Sequence, residues 1–167
     1  LIFIMGIASG LPLLLTISTM TYWLAKFDIN LKTIGLFGLA GLPYTCKFLW
    51  APIINQLALP YLTTRLGQRK SWLFLTQILL GISIFLLGIL DPKTQLSAIA
   101  INIFLLAFFS ASQDIVVDAY RIEYLNKEQQ GLGAAATQLG YRLGCIIAGA
   151  GALSASDYIS WFLIYSI

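Results

Sequence analysis

The chain has 167 residues, of which 59% are hydrophobic and 10% charged, with net charge +3 and mean hydropathy +0.85. A soluble domain carries about 25% charged residues, so this composition excludes an ordinary water-soluble fold, and so small a net charge gives no signal for nucleic acid. Two cysteines lie in apolar stretches, read as small buried hydrophobes, and there is no histidine to serve a metal or a proton relay.

Roughly 20 apolar residues cross a bilayer, and runs of that length recur between charged or Gly/Pro-rich breaks. They predict an all-α polytopic membrane protein with spans at about 1–24, 34–57, 72–90, 98–120 and 133–153, and a sixth beginning in 159–167. The first run is too long for a signal peptide and lacks a basic start. It holds Gly6, Gly10 and Pro12, and the second holds Gly38, Gly41, Pro43 and Pro52. Such helix breakers persist in a membrane where neighbouring protein or water satisfies the freed backbone groups. In the fifth span, Gly140 and Gly144 have the four-residue spacing that lets helices approach closely. The chain opens on Leu1 and its last apolar run has barely begun when it ends, so a longer protein is expected.

Basic residues orient the spans. Arg65, Arg69 and Lys70 follow the second span, and Arg121 and Lys127 follow the fourth. The positive-inside bias makes that side cytoplasmic.

Lys47, Asp114, Asp118 and Arg142 are the ionisable residues inside predicted spans, and their charges cancel. Near a helix centre each costs at least about 2.5–3.5 kcal/mol and marks a functional site by default. Counting 1.5 Å per residue puts Lys47 about 20 Å from its outer end and Asp114 about 10 Å from its cytoplasmic end, which is similar depth. Asp114 is either a fixed partner of Lys47 or Arg142 that orders the bundle, or a carboxylate that takes up and releases a proton. Asp118, one turn nearer the cytoplasm, suits a latch to Arg121, Arg65 or Arg69. Arg142 lies about 15 Å deep, beside Tyr141, and its fork suits a carboxylate. Gln113 and Gln138 add hydrogen-bonding groups, as do Asn102, Thr16, Ser18, Thr19 and Thr21. Trp23 reads as an interface-belt residue, and Tyr44 and Trp50 as helix packing. No nucleophile–base set, metal-ligand cluster or phosphate loop appears, so neither an enzyme nor a cofactor is expected.

The string RLGQRK, Arg65 to Lys70, resembles the basic end of the loop motif between the second and third helices of major facilitator transporters. That motif normally begins with an Asp where this chain has Asn55, which removes the acidic member of the usual charge latch. Longer strings narrow the resemblance. ASGLPLLLT (Ala8–Thr16), DINLKTIGLF (Asp28–Phe37), KFLWAP (Lys47–Pro52), LDPKTQL (Leu90–Leu96), SASQDIVVDAY (Ser110–Tyr120) and GYRLG (Gly140–Gly144) resemble the AmpG muropeptide permease family.

The resemblance implies a major facilitator fold, of which the chain would be the N-terminal six-helix half, two inverted three-helix repeats truncated in the sixth helix, with the C-terminal half absent. It also implies a proton-coupled importer of anhydromuropeptides across the bacterial inner membrane for peptidoglycan recycling. By position, Asp114 and Asp118 would couple protons. Lys47 and Arg142 would hold a peptide carboxylate or bias the aspartates, and Tyr141, Gln113 and Gln138 would contact substrate. Arg65, Gly67, Arg69 and Lys70 would form the cytoplasmic loop motif. Its partners would be a small muropeptide, protons and the lipid bilayer. Two alternatives stand beside this: a related transporter of acetyl-coenzyme A or a nutrient, and a truncated remnant without transport.

Overall fold

A computed structural model describes residues 1–166, and every regular element among them is helical. Helix α1 (Ile2–Lys26) contains Pro12, which has no N–H to donate, and one π turn follows at Leu15–Thr19. Thr16 Oγ1 donates to the Pro12 carbonyl at 2.8 Å. Helix α2 (residues 31–56) starts at Asn30, whose side chain caps Lys32 N at 3.0 Å. It then alternates, with 3-10 segments at Gly38–Gly41 and Lys47–Leu49 between short α stretches. The glycines and prolines of this segment explain the interruptions: Gly38 and Gly41 bound the first 3-10 stretch, and Pro43 and Pro52 remove donors.

A short helix, Leu62–Leu66, leads through Gly67 into α3 (Gln68–Ile89). Gly67 has φ +81°, a backbone conformation that admits glycine and strains other residues. Helix α4 (Leu96–Tyr124) has 29 residues and is therefore about 43 Å long, more than a hydrocarbon core of about 30 Å. Helix α5 (residues 130–155) carries a second π turn at Ile147–Gly151, and α6 begins at Trp161. Ile167, the last residue of the expected sixth span, lies outside the described residues. Helices α1, α3 and α4 are long and apolar enough to cross a membrane, and the chain is a membrane protein on that footing. The helices run a few residues beyond the apolar runs because polar ends continue the same backbone geometry.

Helices α1 and α5 meet backbone to backbone. A Cβ on Gly140 would strike the Phe3 carbonyl and one on Gly144 the Ile7 carbonyl; on the other side, Gly6 abuts Thr137 and Gly10 abuts Tyr141. Both helices carry the four-residue glycine spacing, so two smooth faces nest, and the Cys145 thiol reaches the Gly10 carbonyl at 3.5 Å. Neither cysteine is in a disulfide. Asn102 Nδ2 donates to the Ser83 carbonyl at 2.9 Å, tying α4 to α3. Trp23 is not in an interface belt: it is 2% exposed and packs against Phe27, Trp161 and Tyr165, because α6 covers that end of α1.

Candidate functional site

The α1–α5 contact decides what Asp114 meets. Ser9 lies between Gly6 and Gly10 and is buried, and its hydroxyl donates to Asp114 Oδ1 on α4. The second oxygen, Oδ2, faces Lys47 Nζ at 3.9 Å, from the 3-10 break in α2. The Asp114 side chain is 13% exposed and that of Lys47 39%, so the lysine tip is open on one side. A hydrogen bond to a charged group is worth about 1.5–3 kcal/mol, and one carboxylate oxygen has such a donor while the other has a cation at the edge of contact. The group opens into a cavity of about 220 Å³, rimmed by Asp118, Thr137, Gln138 and Tyr141.

From four residues on towards the loop side, the chemistry is wetter. Asp118 pairs with Arg121 at 3.5 Å, and its side chain is 55% exposed. Arg69 clamps Glu123 with Nε at 3.0 Å and Nη2 at 2.6 Å, while Nη1 reaches Asn55 Oδ1 at 2.7 Å. Gln68 Nε2 donates to the Asn55 carbonyl at 2.6 Å. Asn55, which lacks the expected charge, still takes part in the link between α2 and α3, and Glu123 supplies the anion from α4. Arg65 and Lys70 are exposed beside this clamp.

Two residues singled out in the sequence lie elsewhere. Arg142 is exposed on α5 and makes no ion pair among the described residues, so it does not meet Asp114. Gln113 is 2% exposed and lines a groove between α1, α3 and α4 rather than the Asp114 cavity, because adjacent helix positions point about 100° apart. The hydroxyls of Thr16 and Thr21 bond within α1, and Thr19 Oγ1 donates to Ala148 O at 2.8 Å on α5. Trp50 Nε1 donates to Ser112 Oγ at 3.1 Å and its ring lies on Phe108, so it packs α2 onto α4. Sequence reasoning missed Ser9 and Glu123. A hydroxyl set between two glycines four apart was a signal for Ser9, and a lone acid at the end of α4 facing a basic loop was one for Glu123. Among the described residues, no three of His, Cys, Asp and Glu come together as a metal site.

A family model described as Acetyl-coenzyme A transporter 1 matches residues 1–160. The chain belongs to that family. Within this transporter family, the anhydromuropeptide permease of Escherichia coli (strain K12) is 45% identical over 166 residues, which is 99% of this chain and 33% of that protein. The putative transporter AmpG 1 of Rickettsia conorii is 40% identical over the whole chain and 40% of its own length, and AmpG 4 of the same organism is 36% identical. The resemblance to AmpG-type permeases therefore holds along nearly the full chain, and these relatives are named as permeases and transporters rather than enzymes. The chain spans about a third to two-fifths of their length.

Proposed function

We propose that the chain is the N-terminal part of a proton-coupled secondary transporter that imports anhydromuropeptides across a bacterial inner membrane. Asp114 carries the proton. The observation behind this reading is its carboxylate, buried at the wall of a cavity, held by one hydroxyl and one half-open lysine. A carboxylate in that setting has a defined ionised geometry, yet its cation is at 3.9 Å and not locked. Protonation would free Lys47, and a carboxylate on the incoming peptide would then be its natural partner. Gln138 and Tyr141 line the same cavity and are placed to meet sugar or peptide. The name of the E. coli relative supplies the substrate class.

The wider architecture follows the same reading. Helices α1–α6 form one six-helix half made of two inverted three-helix repeats, the basic loops face the cytoplasm, and a C-terminal half closes the cavity. The Arg69–Glu123–Asn55 clamp then lies at the cytoplasmic ends of α2, α3 and α4.

The test is uptake of labelled anhydromuropeptide into vesicles under an imposed proton gradient, with this sequence extended to the length of its relatives. Accumulation that collapses with the gradient, and with Asp114→Asn, supports the reading. Accumulation that ignores both removes Asp114 as proton carrier. The family description favours a second reading, with an acetyl-coenzyme A-like substrate. Competition between unlabelled acetyl-coenzyme A and labelled muropeptide separates the two.

A further inference from the structure

The groove that receives Gln113 has no place in the transport scheme. It has a volume of about 380 Å³ and runs between α1, α3 and α4, with Val117 lining both it and the Asp114 cavity. Its walls are apolar, with Met5, Leu73, Phe74 and Val117, and Phe74 is 55% exposed to the surroundings of the bundle. Lys70 stands at its mouth, on the basic-loop side. Glu123 is taken by Arg69, and Lys70 makes no ion pair among the described residues. Leu73 and Gln77 lie about 5 Å and 10 Å deeper along α3. The Gln113 side chain lines the groove, 2% exposed, and its Oε1 finds no hydrogen-bond partner. An amide in that condition normally has a partner.

We propose that this groove is a binding site for one anionic phospholipid. A phosphate sits on Lys70, an acyl chain lies along Met5, Leu73 and Phe74, and the Gln113 amide meets the polar glycerol-ester region below the headgroup. The order of chemistries along the groove is that of a lipid entering from the interface: cation first, apolar walls below, one amide partway. Free phosphate would satisfy Lys70 but has no use for apolar walls. Basic pockets between membrane helices on the cytoplasmic side are a recurrent setting for anionic headgroups. The inference is independent of the transported substrate, and its readout is lipid contact alone.

The test places the full-length transporter in vesicles of mixed phosphatidylglycerol and phosphatidylethanolamine. Either lipid carries a photoreactive group in its acyl chain, and labelled residues are mapped by mass spectrometry. Phosphatidylglycerol should label Met5, Leu73 or Phe74, and Lys70→Gln should cut that labelling about fivefold. Leu73→Trp fills the groove without touching charge and should remove the labelling. Labelling at Ile82, an exposed apolar position elsewhere on α3, should stay constant in both variants and reports an intact fold. Excess inorganic phosphate should not compete. Equal labelling by the two lipids, labelling that survives Leu73→Trp, or photoproducts joining the groove to another protein segment would each overturn the proposal.

Discussion

Of the three acids on helix α4, Asp114 and Glu123 solve opposite problems. At Asp114 the carboxylate is almost enclosed, one oxygen on the Ser9 hydroxyl and the other 3.9 Å from Lys47. At Glu123 the side chain is 55% exposed, yet Arg69 grips it with two nitrogens. The tighter geometry is thus at the site where it stabilises least. An exposed pair is worth about 0–1 kcal/mol, whereas a charge near the centre of a spanning helix costs about 2.5–3.5 kcal/mol or more. Loose pairing at depth leaves a group that can change partners, and tight pairing at the rim makes a fastening.

The sharpest way to break this contrast is at the deep station. Asp114→Asn keeps the shape and removes the charge, and gradient-driven uptake by the full-length protein should fall to background while membrane insertion persists. Retained uptake would make the deep station a fastening too. Ser9→Ala comes next. It strips Asp114 Oδ1 of its donor, at a cost of about 1.5–3 kcal/mol for a bond to a charged group. Uptake should fall without vanishing, and Ser9→Thr should restore part of it. Gly144→Ala tests whether the deep station depends on how closely α1 and α5 meet. The added methyl runs into the Ile7 carbonyl, so thermal unfolding in detergent should show a loss of about 1–3 kcal/mol. Gly131→Ala, where a Cβ meets open space, should show no such loss. The smallest effect belongs to the rim. A double-mutant cycle on Arg69→Gln and Glu123→Gln should give a coupling of about 0.2–1 kcal/mol that fades at high salt.

Much of this contrast was legible in the residues. The interruption of an apolar run by Asp114 and Asp118 marks α4; depth counting leaves Lys47 or Arg142 for Asp114 and Arg121, Arg65 or Arg69 for Asp118, and the fold brings Lys47 to the first and Arg121 to the second. The spacing of Gly140 and Gly144 announced a close helix contact, though only the fold could say that Gly6 and Gly10 answer it. Arg142 illustrates why depth is insufficient. It lies near the level of Asp114 but on another face of its helix, and rotation about a helix axis depends on packing with neighbours. The breaks in α2 were foreshadowed by Gly38, Gly41, Pro43 and Pro52, but their consequence for Lys47, which sits in a 3-10 segment, was not. Ser9 stayed hidden because serine is ordinary in such a helix, and its meaning comes from a partner 105 positions away.

The two π turns, Leu15–Thr19 and Ile147–Gly151, touch one another across the α1–α5 contact, with Thr19 bonded to Ala148. A π turn accommodates one residue more than regular helix would, and one residue is about 100° of rotation. Excising a single residue from either turn would leave a better helix and a worse bundle, since Thr19 and Trp23 on one side, or the residues after Ala148 on the other, would swing off their faces. The lengths of these two helices are therefore coupled quantities. A one-residue gap in either helix would turn one contact face off the other.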